Sequence, residues 1–293
     1  MKSEECTTSE KTAYEKVSLY LVATPIGNLE DITYRAVDVL RNVDMIACED
    51  TRNTVILLNR YEIKNRLISF HEYSDRDKLE KLIAFMKEGN TLALVSDAGT
   101  PGISDPGYPL VKACLEEGLK VSSVPGPCAA VAALPMSGID TRRFVFEGFI
   151  PRDKTRASVL KRICGRTDTQ VIYESPHHLL ETLTELSAVI PERKIAVIRE
   201  LTKIHEESLL TTVLKARDHF LTVKPRGEFV LVLEGAEEKD DAPDEEAALL
   251  WLKKAMDEGI TGKDAVRELQ ERFFLSKNAA KALVLKLKEE KGE

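Results

Sequence analysis

The strongest constraint on this chain is an alternation. Short apolar runs of strand length at 19–23, 45–48, 67–70, 91–95 and 119–124 are separated by stretches with helical spacing at 34–40, from Thr51, at 75–87 and at 108–117. Near-continuous apolar strands spaced by helices predict a mostly parallel sheet covered on both faces, an α/β fold. A second cycle follows, with strands expected at 144–149, 170–174, 194–199 and 228–233, the first three each followed by a helical pattern. The expected organisation is a flexible lead at 1–17, α/β domains at 18–138 and 139–236, a linker at 237–246 and a helical appendage at 247–293. That appendage reads as three helical pieces, broken at Gly259 and near Leu275-Ser276.

With 293 residues the chain can bury a proper core without disulfides or a structural metal. Its longest apolar runs fall far short of the ~20 residues that a spanning helix needs. The first sixteen residues are polar and acidic with no apolar core, so no signal peptide is expected and the chain reads as cytoplasmic. Cys6, Cys48, Cys114, Cys128 and Cys164 are dispersed with no C-x-x-C pair, which argues against a disulfide framework and against zinc. His177 and His178 are adjacent rather than at chelating spacing, so no metal is expected.

The net charge of −7 speaks at first against a nucleic-acid partner. The charge is not uniform, however. Between residues 141 and 166 eight basic side chains, among them Arg142, Arg143, Arg152, Lys154 and Arg156, face only Glu147 and Asp153, whereas 237–246 carries seven acids and one lysine. Phosphate binding depends on where cations cluster, so the basic stretch reads either as a solvated helix face or as an RNA contact.

The densest chemistry lies in Ser96-Asp97-Ala98-Gly99-Thr100-Pro101-Gly102-Ile103-Ser104-Asp105-Pro106-Gly107. A strand ends there and a helix follows, and ligands of open parallel sheets bind outside such carboxyl ends. Glycines admit close approach of a ligand to the backbone, and Asp or Thr oxygens can hold hydroxyl or amine groups. The loop is neither a Walker loop nor a G-x-G-x-x-G fingerprint. The competing reading is a tight turn with Asp105 as helix N-cap.

Six blocks occur in order: Thr24-Pro25-Ile26-Gly27-Asn28-Leu29-Glu30-Asp31, Cys48-Glu49-Asp50-Thr51-Arg52, the 96–107 loop, Pro125-Gly126-Pro127, Tyr173-Glu174-Ser175-Pro176-His177 and Arg199-Glu200-Leu201-Thr202-Lys203. Together they closely resemble the bacterial 16S ribosomal RNA 2′-O-methyltransferases of the tetrapyrrole methylase superfamily, over about 19–235. The resemblance implies two α/β domains of the tetrapyrrole methylase type with the cofactor cleft between them. It also implies S-adenosylmethionine as cofactor, a cytidine of the decoding region of 16S rRNA as substrate, and a homodimer. Carried across residue by residue, it implies that Asp97, Gly99, Thr100, Pro101 and Ile103 line the cofactor site from the first domain. Thr100 stands where related methylases have Asp. Cys128 and Ala129 would let the adenosine approach a helix start, Tyr173 and Leu201 would close the site from the second domain, and Pro25 would belong to the cleft floor.

Methyl transfer to a ribose hydroxyl needs alignment and an acceptor for the proton. Candidates are Glu49, Asp97, Glu174, Glu200 and a neutral Lys203, with Glu200 and Lys203 favoured because their segment follows a strand and faces the cleft. With the resemblance, Arg52, Arg142, Arg143, Arg152, Lys154 and Arg156 become candidate RNA contacts, and Phe149 or Tyr73 candidate stacking platforms. The assembled small subunit is the expected substrate. The same chemistry on a tetrapyrrole, or a non-catalytic assembly factor retaining the fold, are the other readings.

Overall fold

The computed structural model describes residues 17–71, 76–105, 107–237, 245–273 and 275–291. Most of the expected lead and linker, and Tyr73, lie outside these residues. Packing divides the chain after Ala236 into an α/β unit and a helical unit.

The first half of the α/β unit runs β1 (Leu19–Val22), α1 (Tyr34–Asn42), β2 (Met45–Cys48), α2 (Thr51–Arg60), β3 (Leu67–Ser69), α3 (Arg76–Lys87), β4 (Leu92–Val95), α4 (Tyr108–Glu116), β5 (Val121–Val124) and α5 (Ala129–Met136). Its strands form a parallel sheet in the order β3-β2-β4-β1-β5. Every residue of β2 and β4 is buried, as expected for central strands with helices on both faces. One face packs Leu40 and Ala36 of α1, the other Leu110 and Cys114 of α4. Adjacent strands β1 and β4 therefore lead into helices on opposite faces, which is a topological switch point. Local chemistry starts the helices. Thr33 Oγ1 accepts from Ala36 N at 3.1 Å and Asp50 Oδ1 from Arg52 N at 2.8 Å.

The second half comprises β6 (Phe144–Phe149), α6 (Arg156–Gly165), β7 (Thr169–Glu174), α7 (Leu179–Ser187), β8 (Lys194–Arg199), β9 (Glu207–Thr212), α8 (Val213–Thr222) and β10 (Phe229–Leu233). The sheet order is β6-β7-β10-β8-β9. It is mixed, because β10 inserts antiparallel between β7 and β8 and β9 adds antiparallel to β8. Strand β9 was not expected. Its sequence ESLLTT is polar and mostly exposed at the sheet edge, so it offers no apolar run to recognise. Helices α6, α7 and α8 cover one face, with Leu160, Leu183 and Phe220 in the core.

The other face is sealed by α5. Ala130, Ala133 and Leu134 of that helix pack on Val171, Ala196, Val230 and Val232. The chain thus crosses from one sheet to the other near Pro125–Cys128, earlier than the boundary expected at 138. The second sheet buries the Ala130, Ala133 and Leu134 side of this almost wholly apolar helix, while Val131 and Met136 remain exposed.

The helical unit consists of α9 (Glu245–Asp257), α10 (Gly262–Phe273) and α11 (Lys277–Lys291), broken near the two expected places. It packs around Leu252, Leu269, Val284 and Leu287. Among the described residues no helix is long and apolar enough to cross a membrane.

Candidate active site

At the switch point the loops after β1, β4 and β5 are tied together. Thr24 N donates to Gly99 O at 2.8 Å and Gly99 N to Thr24 O at 3.0 Å. Thr100 Oγ1 donates to Pro127 O at 3.0 Å, fastening the third loop. A Cβ on Gly126 would stand 3.0 Å from that of Ala23, so the β5–α5 turn lies tightly against the end of β1. Gly99 sits at φ +86°, a conformation that any other residue adopts only under strain.

A cavity of about 450 Å³ opens where these loops meet the second sheet, within the range of small-molecule and cofactor sites. Ile26, Gly99, Thr100, Ile103, Ser104, Asp105, Cys128 and Ala129 line one side, and Phe149, Tyr173, Glu174, Ser175, Leu201 and Glu228 the other. The two sides touch. A Cβ on Gly148, at φ +66° in the bulge of β6, would lie 3.3 Å from Ser104 Oγ, and Ser104 itself is held at φ +62°. Non-glycine residues in that region store strain of about 1–3 kcal/mol and cluster at ligand sites.

Tyr173 forms the rear of the cavity. Its ring is flanked edge-on by Phe146 at 4.9 Å and Phe149 at 5.6 Å, and its hydroxyl accepts from Ala130 N at 2.9 Å. Burial pushes its phenol up to about 12, so it stays neutral. Glu174 is buried and doubly held, by Ser175 N at 2.8 Å and Thr182 Oγ1 at 2.6 Å. Burial foremost, with the negative charges of Glu49 and Asp97, outweighs a hydrogen bond from Ser96 and raises Asp105 to about 6. The hydroxyl oxygen of Ser175 is buried with no partner among the described residues.

Of the cofactor residues expected from sequence, Gly99, Thr100, Ile103, Cys128, Ala129, Tyr173 and Leu201 line this cavity. Pro25, Asp97 and Pro101 are not among the lining residues. Pro25 and Pro101 are buried within their loops, while the Asp97 carboxylate turns toward α2, accepting from Asp50 N at 3.1 Å and Asn53 Nδ2 at 2.8 Å. An N-cap at Asp105 was the competing reading of this loop. Instead Gly107 occupies the cap of α4, which has no side-chain cap bond, and Asp105 faces the cavity. Ile26, Ser104 and Ser175 lie within the recognised blocks but carried no signal of their own, and Glu228 opens an expected strand.

Glu200 and Lys203, favoured as proton acceptors, are bound to each other outside the cavity wall. Lys203 Nζ lies 2.9 Å from Glu200 Oε1 and 2.9 Å from Glu228 Oε2. Burial alone would lower the lysine, but the two carboxylates prevail and hold it above its ordinary value. Burial would raise Glu200, but Lys203 and the Glu228 N–H hold it below the usual carboxylate range. The paired carboxylates thus favour a charged Lys203 over the neutral one considered from sequence, and hold Glu200 ionised beside it. Both line a shallower hollow with Gly27, Asn28, Arg60 and His205.

The basic residues separate into groups. Arg152 and Lys154 are exposed on the loop before α6. Arg52, Arg142 and Arg143 are exposed but paired with Asp50 at 2.6 Å, Asp140 at 2.6 Å and Asp168 at 3.1 Å. Arg156 is 13% exposed, bridged to Glu185 and donating to Thr182 Oγ1 at 3.1 Å. Its guanidinium ties α6 to α7, which corrects its reading as an RNA contact. Among the described residues no cluster of His, Cys, Asp or Glu could hold a metal ion, and Cys48, Cys114, Cys128 and Cys164 are free.

A parallel and a mixed sheet bordering one ligand-sized cavity at a switch point define a two-sheet α/β protein with a small-molecule site. The fold is that of a crystal structure of diphthine synthase, with a TM-score of 0.60 and 14% identity over 74% of this chain and 89% of that one. The chain belongs to the tetrapyrrole (corrin/porphyrin) methylase family, whose pattern matches residues 18–216. It is 47% identical over 219 residues to the ribosomal RNA small subunit methyltransferase I of Thermotoga maritima, covering 75% of this chain and 99% of that protein. It is 44% identical over 272 residues to the protein of the same name from Synechocystis, covering 92% and 98%. S-adenosylmethionine is the methyl donor in this family. The cavity fits that molecule. It combines apolar and aromatic walls with the backbone of the Gly99–Thr100 turn, the carboxylates of Asp105, Glu174 and Glu228, and the unpartnered Ser175 hydroxyl.

Proposed function

We propose that this protein methylates the 2′-hydroxyl of a cytidine ribose in the decoding region of small-subunit ribosomal RNA, acting on the assembled subunit in the cytoplasm. The observation that carries the reading is the cavity at the β1–β4 switch point, in a chain 44–47% identical to relatives named for rRNA methylation. S-adenosylmethionine supplies a methyl carbon on a sulfonium, which is already a good leaving group. The chain has to hold, align and dehydrate the reactants, and proximity can lower the barrier by about 7–11 kcal/mol.

The residues divide that work. Gly99, Thr100, Ile103, Cys128 and Ala129 cradle the donor from the first sheet, and Tyr173 and Leu201 exclude water from the second. Methylation of the ribose hydroxyl releases its proton, which needs an acceptor on the chain. Asp105 is the acceptor assigned here, because it lines the cavity and its elevated pKa of about 6 leaves it ionised yet basic at neutral pH. Phe149, 57% exposed beside Tyr173, is suited to stack on the cytosine. Arg152 and Lys154 supply exposed cations for the RNA backbone, with Arg52, Arg142 and Arg143 beside their acids. The resemblance also carries a homodimer, which sedimentation reads directly.

The test is transfer of labelled methyl from S-adenosylmethionine to small subunits from cells lacking this gene, with the product mapped by nuclease digestion and mass spectrometry. A single 2′-O-methylcytidine is expected, formed faster on subunits than on naked rRNA. Transfer to a tetrapyrrole and not to RNA would overturn the reading.

A further inference from the structure

The helical unit holds a feature that the family match at residues 18–216 leaves out. Between α10 and α11 runs a groove of about 690 Å³, bordered by Lys263, Arg267, Gln270, Lys277, Lys281 and Lys288, with no acid among the lining residues. The spacing explains the segregation. Residues 263, 267 and 270 recur at i, i+4 and i+7 on α10, and 277, 281 and 288 at i, i+4 and i+11 on α11, so each set shares one helical face. On α10 the buried Ala265 and Leu269 lie off this face, whereas on α11 Val284 lines the groove itself, with Ala280 and Leu287 beside it in the core.

A solvated face of ordinary composition would interleave acids with these lysines. Of the three acids of α10, Glu268 pairs with Arg272 at 2.7 Å, Asp264 lies 3.4 Å from Arg267 while accepting from the cap residue Thr261, and Glu271 does not line the groove. Lys263, Lys277, Lys281 and Lys288 have no acidic partner among the described residues. Lys288 is laid across Gly262, which brings its ammonium onto the α10 side of the groove. From Lys277 to Lys288 the cationic face extends about 16 Å along α11, enough to follow several phosphates of one strand.

We infer that the α10–α11 groove binds the phosphate backbone of RNA, as an affinity surface additional to the methyl-transfer site. The inference rests on the RNA substrate proposed above and assigns the groove no part in the chemistry. The Thermotoga relative is consistent with that division, whereas the match to the Synechocystis protein, over 272 residues, extends into the helical unit. The 219 residues that match nearly the whole Thermotoga protein are about as many as the α/β unit alone contains. An added surface of this kind raises affinity without touching the reacting atoms, so it acts on KM and leaves kcat.

The experiment uses the full chain with Lys263→Gln, Lys281→Gln and Lys288→Gln together, and a second variant carrying Arg at the same three positions. Binding to a 16S rRNA fragment is measured over a series of salt concentrations, alongside methyl transfer at saturating substrate. The Gln variant is expected to bind about tenfold more weakly and to lose about 2 from the slope of log affinity against log salt, with kcat unchanged. The Arg variant should restore both. If the Gln variant melts early, Lys281→Glu alone, on an exposed site, is expected to shift affinity and slope in the same direction. Unchanged affinity and slope overturn the inference, as does a groove that holds anionic vesicles but not RNA. Failure of the wild-type protein to methylate RNA counts against the proposed function, and the binding measurement still reads the groove by itself.

Discussion

The hydroxyl of Tyr173, on the second sheet, accepts a hydrogen bond of 2.9 Å from the backbone N–H of Ala130, in the first turn of the helix that leaves the first sheet. One phenol therefore caps a helix, walls the cavity and joins the two halves. Tyr173→Phe keeps the ring and removes the acceptor. Loss of a cap bond costs about 1 kcal/mol, or ~2–4 °C in Tm for a protein of this size. Calorimetry is expected to show that loss together with weaker S-adenosylmethionine binding, since the start of α5 loosens.

Asp105 gives a pH signature with a definite sign. Its folded pKa of about 6 lies above its unfolded value of 3.8, so the stability it contributes is fully present below pH 3.8 and lost as pH rises through about 6. Asp105→Asn is accordingly expected to be more stable than the wild type at pH 8, with the gap closing near pH 4. Methyl transfer should show the opposite trend, rising through pH 6 in the wild type and losing that limb in the variant. A wild-type rate flat from pH 5 to 8 would remove Asp105 from proton transfer.

The Glu200–Lys203–Glu228 cluster is a brace for Leu201, between strained residues at φ +51° and +67°. Lys203→Met leaves Glu200 buried against Gly227 without its partner, and the expected loss is about 1–3 kcal/mol in urea unfolding. Cofactor affinity should fall with it. Were Lys203 the base, stability would hold and only kcat would fall.

Arg152 and Arg156 stand four residues apart and should behave differently. Arg152→Ala is expected to raise KM for RNA and flatten its salt dependence, with Tm unchanged. Arg156→Ala strips the partner from Glu185 and Thr182, and is expected to cost about 1–3 kcal/mol of stability with little change in salt slope. Salt-series binding and thermal melts separate the two.

Sequence pattern carried much of this fold because central parallel strands such as Met45–Cys48 and Leu92–Val95 must be apolar throughout. Asp50 caps α2 from the position just before Thr51, where helical spacing was expected to begin. Strand β9 was not legible, since an edge strand needs no apolar run. Helix α5 was found next to the correct turn but credited to the wrong sheet, because spacing along a chain does not say which face a helix covers. The cavity's first-sheet wall followed from the glycine-rich loop and the family blocks. Asp105 was missed because an aspartate just before a helix reads as a cap, and only the backbone shows Gly107 in that role. Lys203 was misjudged for a related reason: its second carboxylate, Glu228, is 25 residues away along the chain and 2.9 Å away in space.

The early crossing of α5 also decides where this polypeptide could be severed. A cut at the apparent boundary near residue 138 would leave the helix Ala129–Met136 on a fragment whose own sheet has no place for it, an unclothed greasy surface inviting aggregation. A cut in the turn at 125–128 would send that helix with the sheet it seals. The two pieces could then be produced apart and recombined, and regained methyl-donor binding would report their reassembly.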